Sequence, residues 1–166
     1  VAVDKSVEEA EQVVEKIKAY GVDAFCLRCD VSNPRDVQKM VDAVIGRFGS
    51  VDILVNNAAT MEEKMQRQKQ GIEKTMGVNL IAHMYLTHLL MPLLIRSSDP
   101  RIVMVSAKGY KIGMMKQSKK EGGEDDPSDF LLDNLKAEDY NSFSIYGKSK
   151  LGNILFAQKL SSLLKK

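Results

Sequence analysis

The stretch Ser144-Ile-Tyr-Gly-Lys-Ser-Lys-Leu-Gly-Asn-Ile-Leu-Phe-Ala-Gln-Lys-Leu160 decides how this chain is interpreted. Its pattern predicts a helix. Tyr146 and Lys150 lie four residues apart, so a helix would place them on one face. An ammonium stabilises a phenolate beside it, and such a pair can give or take a proton at a carbonyl or alcohol oxygen. The pair alone is ambiguous, because Tyr and Lys are also ordinary residues on the solvated faces of helices.

Three other stretches precede this one: Val51-Asp-Ile-Leu-Val-Asn-Asn-Ala-Ala59, Gly77-Val-Asn-Leu80 and Arg101-Ile-Val-Met-Val-Ser106. In this order, the stretches resemble the short-chain dehydrogenase/reductase family over nearly the whole chain. The ending Tyr146–Phe156 resembles its retinol-dehydrogenase-like branch. The resemblance implies a Rossmann-like fold, a nicotinamide dinucleotide cofactor, and hydride transfer between that cofactor and a small carbonyl or alcohol substrate.

The composition suits one globular unit. The chain has 166 residues, of which 44% are hydrophobic, and a net charge of +2. We expect one partial dinucleotide-binding domain over residues 1–166 and no nucleic-acid partner, because the charges are mixed along the chain. Cys26 and Cys29 are expected to be structural, since no second ligand pair accompanies them to hold zinc. No metal site is predicted.

No apolar stretch in the sequence is expected to span a bilayer; 86–95 is apolar but short. The chain begins at Val1 directly in apparent secondary structure, so the absence of a targeting signal leaves the location open between cytoplasmic and membrane-associated. We expect the chain to be either an internal part of a longer enzyme or a truncated or misannotated gene product.

Short apolar segments alternate with amphipathic ones, which predicts an α/β fold with a doubly wound parallel sheet and helices on both faces. A polar excursion at 110–142 is expected to contain one helical turn near 129–134. The strands are expected at 1–3, 24–29, 51–55 and 102–105, and the helices at 8–20, 34–48, about 71–95 and about 143–164.

A dinucleotide fold of this type opens with a strand and a Gly-rich turn that binds the pyrophosphate at a helix N-terminus. The sequence contains no such turn. If the family fold is present, the chain starts at its second strand and ends before its last strands. The predicted Rossmann-like sheet is therefore incomplete.

The resemblance assigns the chemistry residue by residue. Tyr146 is expected to be the general acid/base, Lys150 to assist it and hold the nicotinamide ribose, and Asn79 to hold a water that relays protons to the lysine. The family pattern of two serines falls on Ser106 and Ala107. Ser106 would replace the missing second hydroxyl only if the strand end shifted by one residue, so a structural part is expected for it.

Cofactor contacts are assigned in the same way. Asn56 is expected to tie its strand to the neighbouring strand, and Ala58 lies where the backbone approaches the cofactor ribose. Asp30 is expected to accept from the adenine amino group while Val31 packs on the base. The resemblance places Asp4 at the ribose 2′-hydroxyl, which favours NAD, whereas the adjacent Lys5 argues for NADP. NAD is preferred, because Asp4 takes the strand-end position.

The loss of a hydroxyl at position 107 leaves other functions open. The chain is either the core of an active oxidoreductase, a non-catalytic relative that binds cofactor or a protein partner, or a part that is inactive alone. Homodimers through the long helix and the Tyr146 helix are possible by the same resemblance. His83 and His88 are expected to be structural.

Overall fold

The computed structural model describes residues 1–112, 132 and 135–164. Strands and helices alternate as predicted. The turn expected near 129–134 lies outside the described residues except for Leu132. The strands are β1 (Ala2–Asp4), β2 (Cys26–Arg28), β3 (Ile53–Asn56) and β4 (Arg101–Met104). The α-helices are α1 (Val7–Lys18), α2 (Pro34–Phe48), α3 (Lys74–Met76), α4 (Ala82–Leu94) and α5 (Ser142–Leu164), with a π-helical turn at Gly77–Ile81 and a 3₁₀ turn at Ala137–Asp139.

The strands form two parallel pairs. β1 pairs with β2, with Ala2 opposite Cys26 and Asp4 opposite Arg28. β3 pairs with β4 in a second two-stranded sheet. The carbonyl of Asn56 accepts from the amide of Val105 at 3.0 Å, and that of Asp52 accepts from Arg101 at 2.9 Å, so these strands also run in the same direction. Parallel pairs joined through helices confirm the α/β class of an incomplete Rossmann-like fold.

The chain divides into two compact units, and the first comprises Val1–Ile53 and Leu86–Arg101. Its helices begin at side-chain caps. Ser6 accepts from the amide of Glu9 at the start of α1, and Asn33 accepts from the amide of Arg35 at the start of α2. Gly49 ends α2 with φ +71°, a left-handed conformation that suits glycine. The buried apolar faces of α1 and α2 consist of Ala10, Val14, Val37, Met40, Val41 and Val44.

The second unit comprises Leu54–Tyr85 and Ile102–Lys166. Its core is a cluster of Met76, Leu80, Leu132 and Ile145, against which four partly buried side chains pack: Ile81, Leu135, Tyr140 and Phe156. The cluster joins the start of the long helix to the first half of α5. The prediction of one domain over residues 1–166 stays a prediction.

The helix from Lys74 to Leu94 corrects one expectation. At 21 residues it is long and apolar enough to cross a membrane by length and composition, whereas the sequence was expected to hold no such stretch. Asn79 and His83 are nevertheless buried within the protein, at 0% and 2% exposure. Burial of polar side chains is the behaviour of a core helix, so length and composition alone do not indicate a membrane span here.

One face of β3 is open. Leu54 and Asn56 are buried, but Ile53 and Val55 are 58% and 56% exposed. The sequence predicted cover on both faces of the sheet, because the strand is apolar throughout. Among the described residues, protein atoms bury only the face of β3 that carries Leu54 and Asn56.

The two cysteines are free, and they differ in burial. Cys29 is buried and Cys26 is half-buried, in agreement with their expected positions on opposite faces of a strand. Burial raises the pKa of Cys29 to about 11. A thiol with such a pKa is a poor nucleophile at neutral pH, which fits the expected structural role.

Candidate active site

Helix α5 brings Tyr146 and Lys150 together. The Nζ of Lys150 lies 5.6 Å from the centre of the Tyr146 ring. Tyr146 is half-buried, whereas Lys150 is 2% exposed. Burial lowers the pKa of Lys150, because the charged form loses water. A half-buried phenol and a buried amine thus lie on one face of α5, and it is this shared face that the spacing of four residues predicted.

The carbonyl of Val105, just beyond β4, holds the lysine in place. It accepts from Lys150 Nζ at 3.2 Å and from Asn153 Nδ2 at 3.1 Å. Asn153 is fully buried and was not identified from the sequence. The sequence signal for Asn153 was its position one helical turn after Lys150, which places both side chains on the buried face of α5.

Asn79 connects two segments to α5. Its Oδ1 accepts from the amide of Thr60 at 2.8 Å, and its Nδ2 donates to the Thr60 carbonyl at 2.9 Å and to Ser149 Oγ at 3.0 Å. Ser149 Oγ in turn donates to the carbonyl of Tyr146 at 2.7 Å. The Asn79 side chain therefore anchors the chain after β3 and the helix that carries Tyr146. Its expected role in a water relay stays a prediction.

Ser106 binds the backbone of α5, and its expected structural part stays a prediction. Its Oγ donates to the carbonyl of Lys150 at 2.9 Å, which fixes the strand exit to α5. Ala107 has no hydroxyl to offer. The ring of Tyr146 lies close to the turn that follows, since a Cβ built on Gly109 would be 3.6 Å from it.

His83 is a buried group that the sequence reading treated only as structural. Neither of its ring nitrogens reaches a hydrogen-bonding geometry among the described residues. Burial lowers the pKa of His83 to about 4 and the charge of Lys150 acts in the same direction, while the backbone oxygens of Asn79 and Ala58 oppose them. The imidazole is therefore neutral at physiological pH. Its spacing of four residues after Asn79 was the signal that placed it on the same helical face.

The exit of β3 is tied to β4 and is followed by exposed residues; its expected role as a cofactor contact stays a prediction. Asn56 Nδ2 donates to the sulfur of Met104 at 3.1 Å, and with the backbone bond to Val105 this ties β3 to β4. Asn57 and Ala58 are exposed, so their backbone is open to a ligand.

The remaining predicted contacts lie in the first unit, at the carboxyl ends of β1 and β2. Asp4 Oδ1 accepts from the amide of Ser6 at 2.9 Å, and Lys5 pairs with Asp30 Oδ2 at 2.9 Å. Burial would raise the pKa of Asp30, but hydrogen bonds from Ser32 and Lys5 outweigh it and lower the pKa. Val31 is half-buried beside this carboxylate. The structure thus brings Lys5 and Asp30 into one ion pair, which the sequence did not indicate.

Comparison with curated proteins identifies a relative of this chain. The chain is 34% identical to human (Homo sapiens) retinol dehydrogenase 14 over 136 residues, which are 81% of this chain and 36% of that protein. The chain spans about a third of the length of this relative. The similarity confirms the predicted resemblance to the retinol-dehydrogenase-like branch.

Solved structures agree on the fold. A short-chain dehydrogenase from Burkholderia cenocepacia, in complex with NADP, matches with a TM-score of 0.69 and 25% identity over 98% of this chain and 56% of its own. An NAD⁺-bound xylitol dehydrogenase matches with a TM-score of 0.66 and 21% identity over 98% of this chain and 54% of its own. The family model described as short chain dehydrogenase matches residues 1–119. The chain belongs to the short-chain dehydrogenase family.

Proposed function

We propose that the protein carrying this chain is a nicotinamide-dependent oxidoreductase that interconverts a carbonyl compound and an alcohol. The observation that carries the proposal is the pairing of Tyr146 with the buried Lys150, whose Nζ lies 5.6 Å from the ring centre. A phenol held beside a buried amine at the end of a parallel strand suits proton transfer to an oxygen atom.

In the direction of reduction, the Tyr146 hydroxyl donates its proton to the carbonyl oxygen. In the direction of oxidation, the phenolate accepts the proton of the alcohol. The charge of Lys150 stabilises the phenolate, and the bonds of its Nζ and of Asn153 to the Val105 carbonyl hold it in position. Ser149 and Asn79 fix the backbone of Tyr146 from the other side. The protein thus supplies orientation and electrostatics.

The donors and acceptors fit parts of a nicotinamide dinucleotide, which would supply or accept the hydride when bound. Lys150 offers the donor that ribose hydroxyls require, and the exposed backbone at Ala58 permits close approach. Asp30 Oδ1 accepts from both the amide and the hydroxyl of Ser32, whereas Oδ2 pairs, among the described residues, only with Lys5 and keeps a second lone pair for the adenine amino group. Val31 would pack on the base.

Asp4 and Lys5 support NAD over NADP. The carboxylate of Asp4 is exposed at the strand end, where it would accept from a ribose 2′-hydroxyl and repel a 2′-phosphate. The charge of Lys5, which would attract that phosphate, is paired with Asp30. The two solved relatives hold NADP and NAD⁺ respectively, so the fold itself accepts either.

A non-catalytic relative is the second candidate, and one observation favours it. The Ser106 hydroxyl already donates to the carbonyl of Lys150, and Ala107 provides no hydroxyl to polarise a substrate oxygen. The loss of one such donor costs about 10²–10³ in rate. In this case, the protein would bind the dinucleotide without turnover.

A Tyr146→Phe substitution tests the proposal in the natural protein that carries this chain. Turnover of carbonyl substrates, with retinal assayed first because of the similarity to retinol dehydrogenase 14, should fall by about 10²–10⁴. Cofactor affinity should stay nearly the same. Tyr20→Phe is the matched control, since Tyr20 is 86% exposed. Unchanged turnover in Tyr146→Phe would refute the assignment, and a wild type that binds dinucleotide without turning over any carbonyl would favour the second candidate.

A further inference from the structure

A buried carboxyl group lies at the start of the helix that carries Asn79. Glu73 is 0% exposed and caps this helix, because its Oε2 accepts from the amide of Met76 at 2.8 Å. Its other oxygen, Oε1, is 3.3 Å from the hydroxyl of Tyr140. One side chain therefore combines a helix cap with a contact to a distant part of the sequence.

Tyr140 lies at the start of the other helix of the site. Its hydroxyl proton is shared between the carbonyl of Glu62, at 3.0 Å, and the carboxyl group of Glu73. Burial raises the pKa of Tyr140, and the charges of Glu73 and Glu62 add to this against a hydrogen bond with Thr75 that lowers it. The hydroxyl thus keeps its proton and remains a donor.

Tyr140 lies immediately before the N-terminal cap of α5, so its position affects how the chain enters that helix. Asn141 caps that helix, with Oδ1 accepting from the amide of Ser144 at 2.9 Å. Tyr140 is the residue before the cap, and it packs against the core cluster of the second unit, which includes Ile145 at the fourth position of α5. This is a hydrophobic staple, which fixes the angle at which a chain enters a helix.

Arg67 secures the approach to Tyr140. Its Nη2 donates to the carbonyls of Leu132 and Leu135 at 3.0 and 3.2 Å, and its Nη1 donates to that of Gly71 at 2.7 Å. The segment that leads into Tyr140 is thereby bound to the segment that leads into Glu73. The hydroxyl of Tyr140 and the Glu73 carboxyl thus meet between two anchored segments.

We propose that Glu73 and Tyr140 form a positioning junction that joins the starts of the two helices of the active site. About two helical turns further on, the same helices are joined by the bond from Asn79 to Ser149, whose Oγ holds the Tyr146 carbonyl. A second joint restricts the relative rotation of the two helices more than the core cluster and one joint do. The junction sets Tyr146 against Asn79, and this inference rests on the proposed function of Tyr146.

The test uses Tyr140→Phe, Glu73→Gln and the double variant in the natural protein. Phe keeps the ring in the staple and removes only the hydroxyl, while Gln keeps an acceptor for the Met76 amide and presents an amide to Tyr140. Each single variant should lower kcat about 10-fold with the cofactor KM within about two-fold, since a small misplacement of the acid costs rate without loss of binding. The double variant should be no slower than the slower single one.

Hydrogen exchange provides a readout that does not depend on activity. Amide exchange in the first two turns of α5, residues 142–150, should accelerate in Tyr140→Phe and stay at the wild-type rate in the Tyr20→Phe control. Tyr140→Phe with unchanged kcat and unchanged exchange overturns the junction, as do fully additive effects in the double variant. If Tyr146→Phe itself keeps turnover, the proposed function fails, and exchange in α5 alone then decides whether the junction exists.

Discussion

Helices α1 and α2 bury apolar faces, whereas the two helices that carry the candidate active site bury polar side chains as well as apolar ones. The buried residues of α2 are Val37, Met40, Val41 and Val44. The buried residues of α5 include Ser149, Lys150 and Asn153, and the long helix buries Asn79 and His83. The first kind of helix is held mainly by removal of apolar surface from water. The second kind requires a partner for each polar group, because an unpaired buried donor or acceptor is costly.

This difference separates structural from functional helices in one chain. Several buried polar side chains on α5 and the long helix meet partners near Tyr146. Asn79 binds Ser149, and Lys150 and Asn153 both bind the Val105 carbonyl. His83 is the exception, as neither ring nitrogen has a hydrogen bond among the described residues. Polar networks of this kind are sensitive to small changes, so substitutions there should have larger effects than in α2.

The largest of these effects concerns stability and pH at His83, whose folded pKa is about 4 against an ordinary value of 6.5. The folded state binds fewer protons than the unfolded state between these values. The stability that depends on a neutral His83 is therefore fully present above pH 6.5. The free energy of unfolding falls as the pH drops toward 4, by about 3 kcal/mol in total. Urea unfolding at several pH values should show this loss in the wild type and a flatter profile in His83→Phe.

His88 is the matched control for this measurement, because it lies on the same helix but is exposed. His88→Gln should leave the pH dependence as in the wild type. An equally steep profile in His83→Phe would show that another group titrates.

Packing in the two regions can be compared directly at two helical glycines. A Cβ on Gly152 in α5 would lie 2.5 Å from Cδ2 of the buried Leu80, whereas one on Gly46 in α2 would meet nothing within 4 Å. Gly152→Ala should destabilise by about 1–3 kcal/mol through overpacking. Gly46→Ala should stabilise by about 0.5–1 kcal/mol, since alanine loses less backbone entropy in a helix. Denaturant midpoints measure both, and equal effects would contradict the contrast in packing.

Ala107→Ser tests whether the polar network lacks one catalytic donor. If turnover is slow because that hydroxyl is missing, the substitution should raise kcat about 10-fold or more. Steady-state kinetics at saturating cofactor give the answer. No gain in a protein that is already fast would mean that another group donates to the substrate oxygen.

The smallest effect is expected in the first unit, where Asp4 is exposed and its contribution is screened by solvent. Asp4→Ala should reduce the preference for NADH over NADPH several-fold, on the order of 1 kcal/mol, because it removes a charge that repels the 2′-phosphate across solvent. Equilibrium titrations of both nucleotides at fixed salt measure this. A wild type that prefers NADPH, or a variant with the same preference, excludes Asp4 as the selector.

Local signals determined much of the fold in advance. The bounds of α2 at Pro34 and Phe48 follow from a cap, a proline and a terminal glycine, and the structure confirms them. The long helix was predicted to begin near residue 71, but it begins at Lys74 behind the buried cap of Glu73. The π-helical turn at Gly77–Ile81 has no local signal, because the packing that places Asn79 next to Thr60 and Ser149 comes from distant residues.

By itself, the sequence determined which segments are helices and strands, the family, and the pairing of Tyr146 with Lys150, since each depends on spacing within one segment. Only the tertiary structure decided that Ser106 binds the Lys150 carbonyl, that Lys5 pairs with Asp30, and that Tyr140 meets Glu73. These contacts join residues 25 to 67 positions apart. These partners depend on how the helices and strands pack together, and no periodicity along the chain predicts that packing.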